Sequence, residues 1–148
     1  MSESQPQEII WNLATAYVSS RCLHVVAELG VADQLADEPL TAAELAARCN
    51  VNPDVLDRML QLLAAHGIFE HAGDRFGHTA ASQLLRSDHP MSMRAFPRMM
   101  GLPIFYKAFG NLDHSLRMAS PAVETVEPAG TWPTSRITPA RQKSSGRR

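Results

Sequence analysis

From Glu8 to Leu29 the sequence reads as one long helix, and its apolar residues cover far more than a single stripe. Ile9, Ile10, Leu13, Tyr17, Val18, Leu23, Val25, Val26 and Leu29 point in many directions around the axis, and Glu8, Arg21 and Glu28 carry the only charges. A helix this apolar needs cover on several sides. A chain of 148 residues can build one core but cannot easily surround such a helix by itself. A second subunit is the natural cover, which makes Ile10, Leu13, Tyr17, Val18 and Val25 candidate dimer-interface residues and the chain a homodimer.

Gly30 is a plausible stop for this helix, and Val31 to Ala36 reads as a short second one. Thr41 and Glu44 form a T-x-x-E capping box ahead of a helix over Ala42 to Arg48. Asn52 is a strong N-cap with Pro53 at the first helical position, and the apolar spacing from Val55 to Leu63 carries that helix to about His66. Ile68 to Ala72 and Arg75 to His78 read as strands around a tight Gly73-Asp74 turn. Thr79 then caps a helix over Ala80 to Arg86. Helix, turn, helix, hairpin in this order predicts a mainly α, winged-helix-like domain with a small β-hairpin. Its expected span is 8–90, after a disordered 1–7.

Residues 91–120 are expected to be helical, kinked or broken at Pro97 and Pro103. Five of the seven methionines lie here, together with Phe96, Phe105, Tyr106 and Phe109. Methionine adapts to irregular shapes and aromatics give broad flat contact. Met99, Met100, Phe105, Phe109 and Leu112 are therefore candidates to line a pocket for a flat apolar molecule. Packing in a core or a dimer interface is the competing reading of the same residues.

Residues 121–148 are expected to be irregular, basic and disordered. Trp132 to Arg148 holds five basic residues and no acidic one, while the remainder has 9 basic and 15 acidic residues, a net of −6. Such a tail can contact nucleic acid or anionic membrane, or simply be a solvated end.

The usual work of a winged helix is major-groove recognition. Here Leu40 to Thr79 holds five acidic residues against three basic ones, with Asp54 and Asp57 near the start of the would-be recognition helix. DNA affinity rests largely on neutralising phosphates, so DNA is not the expected partner. No metal is expected, because the six histidines show no H-x-x-x-H spacing and Cys22 and Cys49 form no C-x-x-C. His71 and His78 are expected to face solvent on the wing. The eight glycines form no G-x-G pair and no G-x-S-x-G is present, so no dinucleotide loop or nucleophile elbow is expected. No apolar run approaches a membrane span of about 20 residues. The N-terminus MSESQPQEII does not read as a signal peptide, and the expectation is a cytoplasmic protein.

The stretches "HVVAELGVADQLADEPLTAAELAARCNVNPDVLDRMLQLLAAHGIFEHAGDRFGHTAASQLLRSDHP" and "NLDHSLRMASPAVETV" resemble the N-terminal region of S-adenosylmethionine-dependent small-molecule O-methyltransferases of the plant-type and bacterial secondary-metabolite group. The resemblance runs from about Glu8 to Trp132. It implies a winged-helix-like dimerisation domain and a following helical segment that helps wall the acceptor pocket. It also implies methyl transfer to a hydroxyl of a small aromatic or polyketide-like acceptor. The family's Rossmann-like domain, with its glycine-rich cofactor loop and catalytic histidine, has no counterpart here. No catalytic or cofactor residue is carried over, and S-adenosylmethionine is implied for the full-length family alone. The chain is therefore expected to be inactive by itself.

The tail fits the same reading. Read two bases on, codons compatible with PTSRITPARQKSSGRR can spell YLADHPGEAEVFG, which resembles what family members carry after the tryptophan. The hypothesis is a frameshift that truncates a methyltransferase; sequencing the encoding DNA through Trp132 and past the stop tests it. Two alternatives stay open: a winged-helix transcription regulator, and a stand-alone module that pairs with a full-length methyltransferase.

Overall fold

The computed structural model describes residues 5–35 and 38–126. Of the stretch expected to be disordered, 1–7, residues 1–4 lie outside them, whereas Pro6 and Gln7 are helical; of the tail expected to be irregular, 121–148, the part beyond 126 lies outside them. The chain divides into two units, the first ending at Phe105 and the second beginning at Tyr106.

In the first unit, helix α1 spans Pro6–Leu29, starting two residues earlier than expected. Pro6 takes the first helical position, where no N–H is needed, and the Gln5 N–H donates to the Glu8 carboxylate at 3.2 Å. Gly30 ends the helix with φ 69°, a left-handed conformation that costs glycine nothing. Helix α2 is shorter than expected, Val31–Gln34. In α3, Ala42–Cys49, the capping box is complete: the Glu44 N–H donates to Thr41 Oγ1 at 3.2 Å and the Thr41 N–H to the Glu44 carboxylate at 2.8 Å. In α4, Pro53–Ala65, the Val55 N–H donates to Asn52 Oδ1 at 3.1 Å.

Strands β2, Phe69–Ala72, and β3, Arg75–His78, form the wing, with Gly73 in the turn at φ 65°. A third strand, not expected from the sequence, completes the sheet. β1, Leu40–Thr41, pairs antiparallel with β3 through Leu40 opposite Phe76 and Thr41 opposite Arg75, giving the sheet order β1-β3-β2. Leu45, Leu56, Leu60, Leu63, Phe69 and Phe76 are buried where α3 and α4 meet the sheet, and Val26, Val31 and Leu35 bring in the end of α1 and α2. The fold is mainly α with a small antiparallel sheet, as the sequence predicts.

His71 is exposed and stacks on Phe76, the ring centroids 4.5 Å apart. His78 corrects the expectation of a solvent-facing side chain. It is half-buried, with Nδ1 2.9 Å from Ser82 Oγ and Nε2 3.1 Å from the Leu35 carbonyl, so it ties the wing to the end of α2. Helix α5 is a single turn, Ala80–Gln83, capped by Thr79.

Pro97 does not break a helix. It is the third residue of α6, Ala95–Met100, within the first turn, where a missing N–H leaves no gap in the hydrogen-bond ladder. Pro103 is the first residue of α7, Pro103–Gly110. In the second unit, α8, Leu112–Met118, ends at Ala119 with φ 51° and is followed by a 3-10 turn at Ala122–Thr125. Asn111 Nδ2 donates to Thr125 Oγ1 at 2.9 Å, and His114 Nε2 lies 3.0 Å from Ser120 Oγ. Among the described residues no helix is long and apolar enough to cross a membrane.

Candidate functional site

Helix α1 is two helices in one as far as its surroundings go. Toward its C-terminal end, Val26 and Ala27 are buried in the core. In its N-terminal half, Ile10 is 70% exposed, Trp11 70%, Leu13 75%, Tyr17 62% and Val18 40%. Val25, the fifth interface candidate, is half-buried and lies where the helix enters the core. From Ile9 to Ser20 there is no charged residue. Burying five large apolar side chains stabilises by on the order of 10 kcal/mol before the costs of association.

A groove of about 660 Å³ runs between α1 and α4, lined by Trp11, Asn12, Thr15, Ala16, Val18, Ser19, Leu62 and His66. Ser19 Oγ lies 2.8 Å from His66 Nε2 and closes one end. The α1 wall of this groove was legible as apolar; Leu62 and His66 were not recognised as belonging to the same surface.

The C-terminal half of α1 is fastened to α6 and the residues around it. Arg94 donates through Nε to the Ala27 carbonyl at 2.8 Å and through Nη1 to Asp33 at 2.6 Å. Arg98 donates to both Glu28 oxygens, at 2.7 and 3.2 Å. Arg21 donates to the Gly101 carbonyl at 2.7 Å, and His24 Nδ1 lies 3.1 Å from the Pro97 carbonyl. A second groove, about 430 Å³, lies beside these contacts, and Met99 lines it with Arg21, His24, Glu28 and Arg98. Of the five residues expected to line an apolar pocket, Met99 is the one that lines this groove. Met100 and Phe105 are half-buried in the first unit; Phe109 and Leu112 lie in the second, 56% and 53% exposed.

A third groove, between the start of α4 and the wing, is lined by Asp54, Asp57 and Asp74 with Thr41, Gln61 and His71, and no lysine or arginine lines it. This is the surface a winged helix would present to DNA, and it is acidic.

The sequence profile of the O-methyltransferase dimerisation domain matches residues 11–88, from the exposed half of α1 through the wing. The chain belongs to this dimerisation-domain family. Homodimer formation is implied for the family by that domain. The chain is 39% identical over 121 residues to O-demethylpuromycin-O-methyltransferase of Streptomyces alboniger, covering 81% of this chain and 32% of that protein. The solved structure of LaPhzM superposes with a TM-score of 0.78 at 32% identity, covering 84% of this chain and 38% of that one. CalO1, a methyltransferase in calicheamicin biosynthesis solved with SAH bound, gives 0.74 at 30% identity over 85% and 39%. S-adenosylmethionine is thus the cofactor implied for the family. The chain spans about a third of the length of the curated relatives it matches.

Within this dimerisation domain, charge is arranged for structure. The hydrogen bond from Arg98 holds the Glu28 carboxyl below its ordinary value, with the Arg98 charge adding to it. The Thr41 N–H, then its hydroxyl, do the same for Glu44. Both cysteines are half-buried, and burial pushes their thiols up, away from the thiolate a nucleophile needs.

Proposed function

We propose that this dimerisation domain serves a methyltransferase that moves a methyl group from S-adenosylmethionine to a hydroxyl of a small aromatic molecule. In this reading the chain pairs with a second copy through the N-terminal half of α1, and by itself it binds no cofactor and methylates nothing. The segment bearing Met99, Met100, Phe105, Phe109 and Leu112 serves as part of the acceptor wall in the whole enzyme. The observation that carries the reading is the uncharged, apolar and exposed surface of α1 from Ile10 to Val18, inside the stretch that matches a dimerisation domain.

Light scattering of the purified chain tests the pairing. The expected mass is twice the 16.3 kDa of the chain. Lysine at Tyr17 or Val18 should return it to a monomer. A wild-type chain that stays monomeric at high micromolar concentration removes the reading. For the activity part, the chain is incubated with labelled S-adenosylmethionine and a panel of phenols. No methylated phenol is expected, and any labelled product overturns the claim of inactivity.

A further inference from the structure

The core and α6 are held to α1 in different ways. The buried cluster takes Val26 from α1 and, among the described residues, ends in sequence at Phe76. α6 adds no side chain to it. Within α6 only Pro97 is buried, while Phe96 stands 56% exposed and Met99 40%. The contacts that fasten α6 and its flanking residues to α1 are polar. Arg94 donates to the Ala27 carbonyl, Arg21 to the Gly101 carbonyl and Arg98 to both Glu28 oxygens, and His24 Nδ1 faces the Pro97 carbonyl.

Polar contacts and apolar burial differ in what it costs to open them. A hydrogen bond broken near the surface is replaced by one to water, so its net contribution is small. The Arg98–Glu28 pair is weaker still, because its side chains are 45% and 53% exposed and solvent screens them. A helix as short as Ala95–Met100 has no stability of its own, since isolated helices below about 12 residues are marginal in water. Once unfastened it melts, and its departure takes no member out of the buried cluster. We propose that residues 94–102 form a strap that opens from α1 and closes again while the winged-helix core stays folded, with Arg98 and Glu28 as its exposed latch. The strap starts after Met93, whose N–H is pinned to the Leu84 carbonyl at 2.7 Å, and ends before Pro103, the first residue of α7. Opening dismantles the groove of about 430 Å³ that Met99 lines with Arg21 and His24, so this groove exists only in the closed form. That Met99 belongs to an acceptor wall rests on the reading above; the strap does not.

Amide hydrogen exchange of the full chain at low urea concentrations tests the strap. The Gly101 and Leu102 N–H groups donate to the Pro97 and Met99 carbonyls at 3.1 and 3.0 Å and report its opening. Leu60 and Leu63, buried on α4, report the core. Gly101 and Leu102 should exchange through an opening nearly independent of urea, and Leu60 and Leu63 only through one that urea promotes steeply. Phe69→Leu, a conservative change in the core, should speed exchange at Leu60 and Leu63 and leave Gly101 and Leu102 unchanged. Arg98→Met keeps the apolar stem and removes the fork. It should speed exchange at Gly101 and Leu102 by about two- to fivefold, the size of an exposed ion pair. Strap amides that share the urea dependence of Leu60 and Leu63, and that speed up in Phe69→Leu, place α6 in the same cooperative unit as the core and overturn the strap. Unchanged exchange at Gly101 and Leu102 in Arg98→Met overturns the latch.

Discussion

Arg94 Nη1 lies 2.6 Å from Asp33 Oδ2, and through the same guanidinium Nε reaches the Ala27 carbonyl at 2.8 Å. Asp33 is held in turn from its other oxygen, which accepts from the Ser87 N–H at 2.7 Å and the Ser87 hydroxyl at 3.0 Å. One ion pair therefore joins the end of α1, the start of α2 and the chain leaving the wing. Both side chains are less than a quarter exposed, 21% and 23%, so solvent screens the pair only in part. Arg94→Ala should cost about 2 kcal/mol, the range for hydrogen bonds to charged groups, and lower Tm by roughly 5–10 °C. Arg94→Lys should recover less than half, because a lysine cannot span a carboxylate and a carbonyl with one planar fork. Full recovery by lysine would mean the charge alone matters.

Gly101 is a glycine for reasons of space. Its backbone is ordinary, φ −84°, but a Cβ there would fall on the His24 ring. His24 cannot yield without giving up its contact with the Pro97 carbonyl. Gly101→Ala should therefore lift α6 from α1 at a cost of about 1–3 kcal/mol, the usual penalty for overpacking. Gly110 is the control, since nothing lies within 4 Å of a Cβ built there. Gly110→Ala should leave thermal unfolding unchanged or raise Tm slightly. Equal effects at both positions would remove the packing argument.

The contrast between these contacts and the caps shows what the sequence could and could not disclose. Thr41 with Glu44 and Asn52 with Pro53 are local: the partners lie within a turn of each other, so spacing alone identifies them. The wing was legible because the Gly73-Asp74 turn sits between two short segments that each carry an aromatic, Phe69 and Phe76. The Arg21–Gly101 and Arg94–Asp33 contacts join positions 80 and 61 residues apart, and in sequence each arginine looks like a solvated charge. β1 is two residues long and has no period to detect. The apolar surface of α1 was read correctly in amount, but sequence could not divide it. That division depends on where the core ends, between Val26 and Val18, and only tertiary packing sets it.

Acid should destabilise the fold within a defined window. The carboxyls of Glu28 and Glu44 are held below their ordinary value of 4.5, and that of Asp88 below 3.8 by its hydrogen bond from Arg86. Lowered values in the folded state mean that the unfolded chain binds more protons. The stability these groups provide is present above pH 4.5 and is lost as pH falls through their folded values. Urea midpoints should be level from neutral pH down to about 4.5 on this account and decline below it, by a small amount because all three carboxyls face solvent, which screens their partners. Glu44→Gln should flatten the fall, because a neutral amide cannot lose charge. A midpoint already falling well above that range would remove this account.

The acidic groove gives the last prediction. Asp54 lies in the first turn of α4 and Asp57 one turn on, with Asp74 at the wing tip. Asp54 also favours the positive end of the helix dipole, so it has a reason to be there that is independent of any ligand. Bringing this face to a phosphate backbone sets like charges together, and duplex DNA should show no retardation with the chain even at low salt. Asp54→Lys with Asp57→Lys should change the sign of that face at a cost of a few tenths of a kcal/mol to the helix. Weak, salt-dependent retardation is then expected, with a shallow slope because few phosphates are neutralised. If the wild-type chain itself retards duplex DNA, and added salt reverses it, the transcription-regulator reading gains over the dimerisation one.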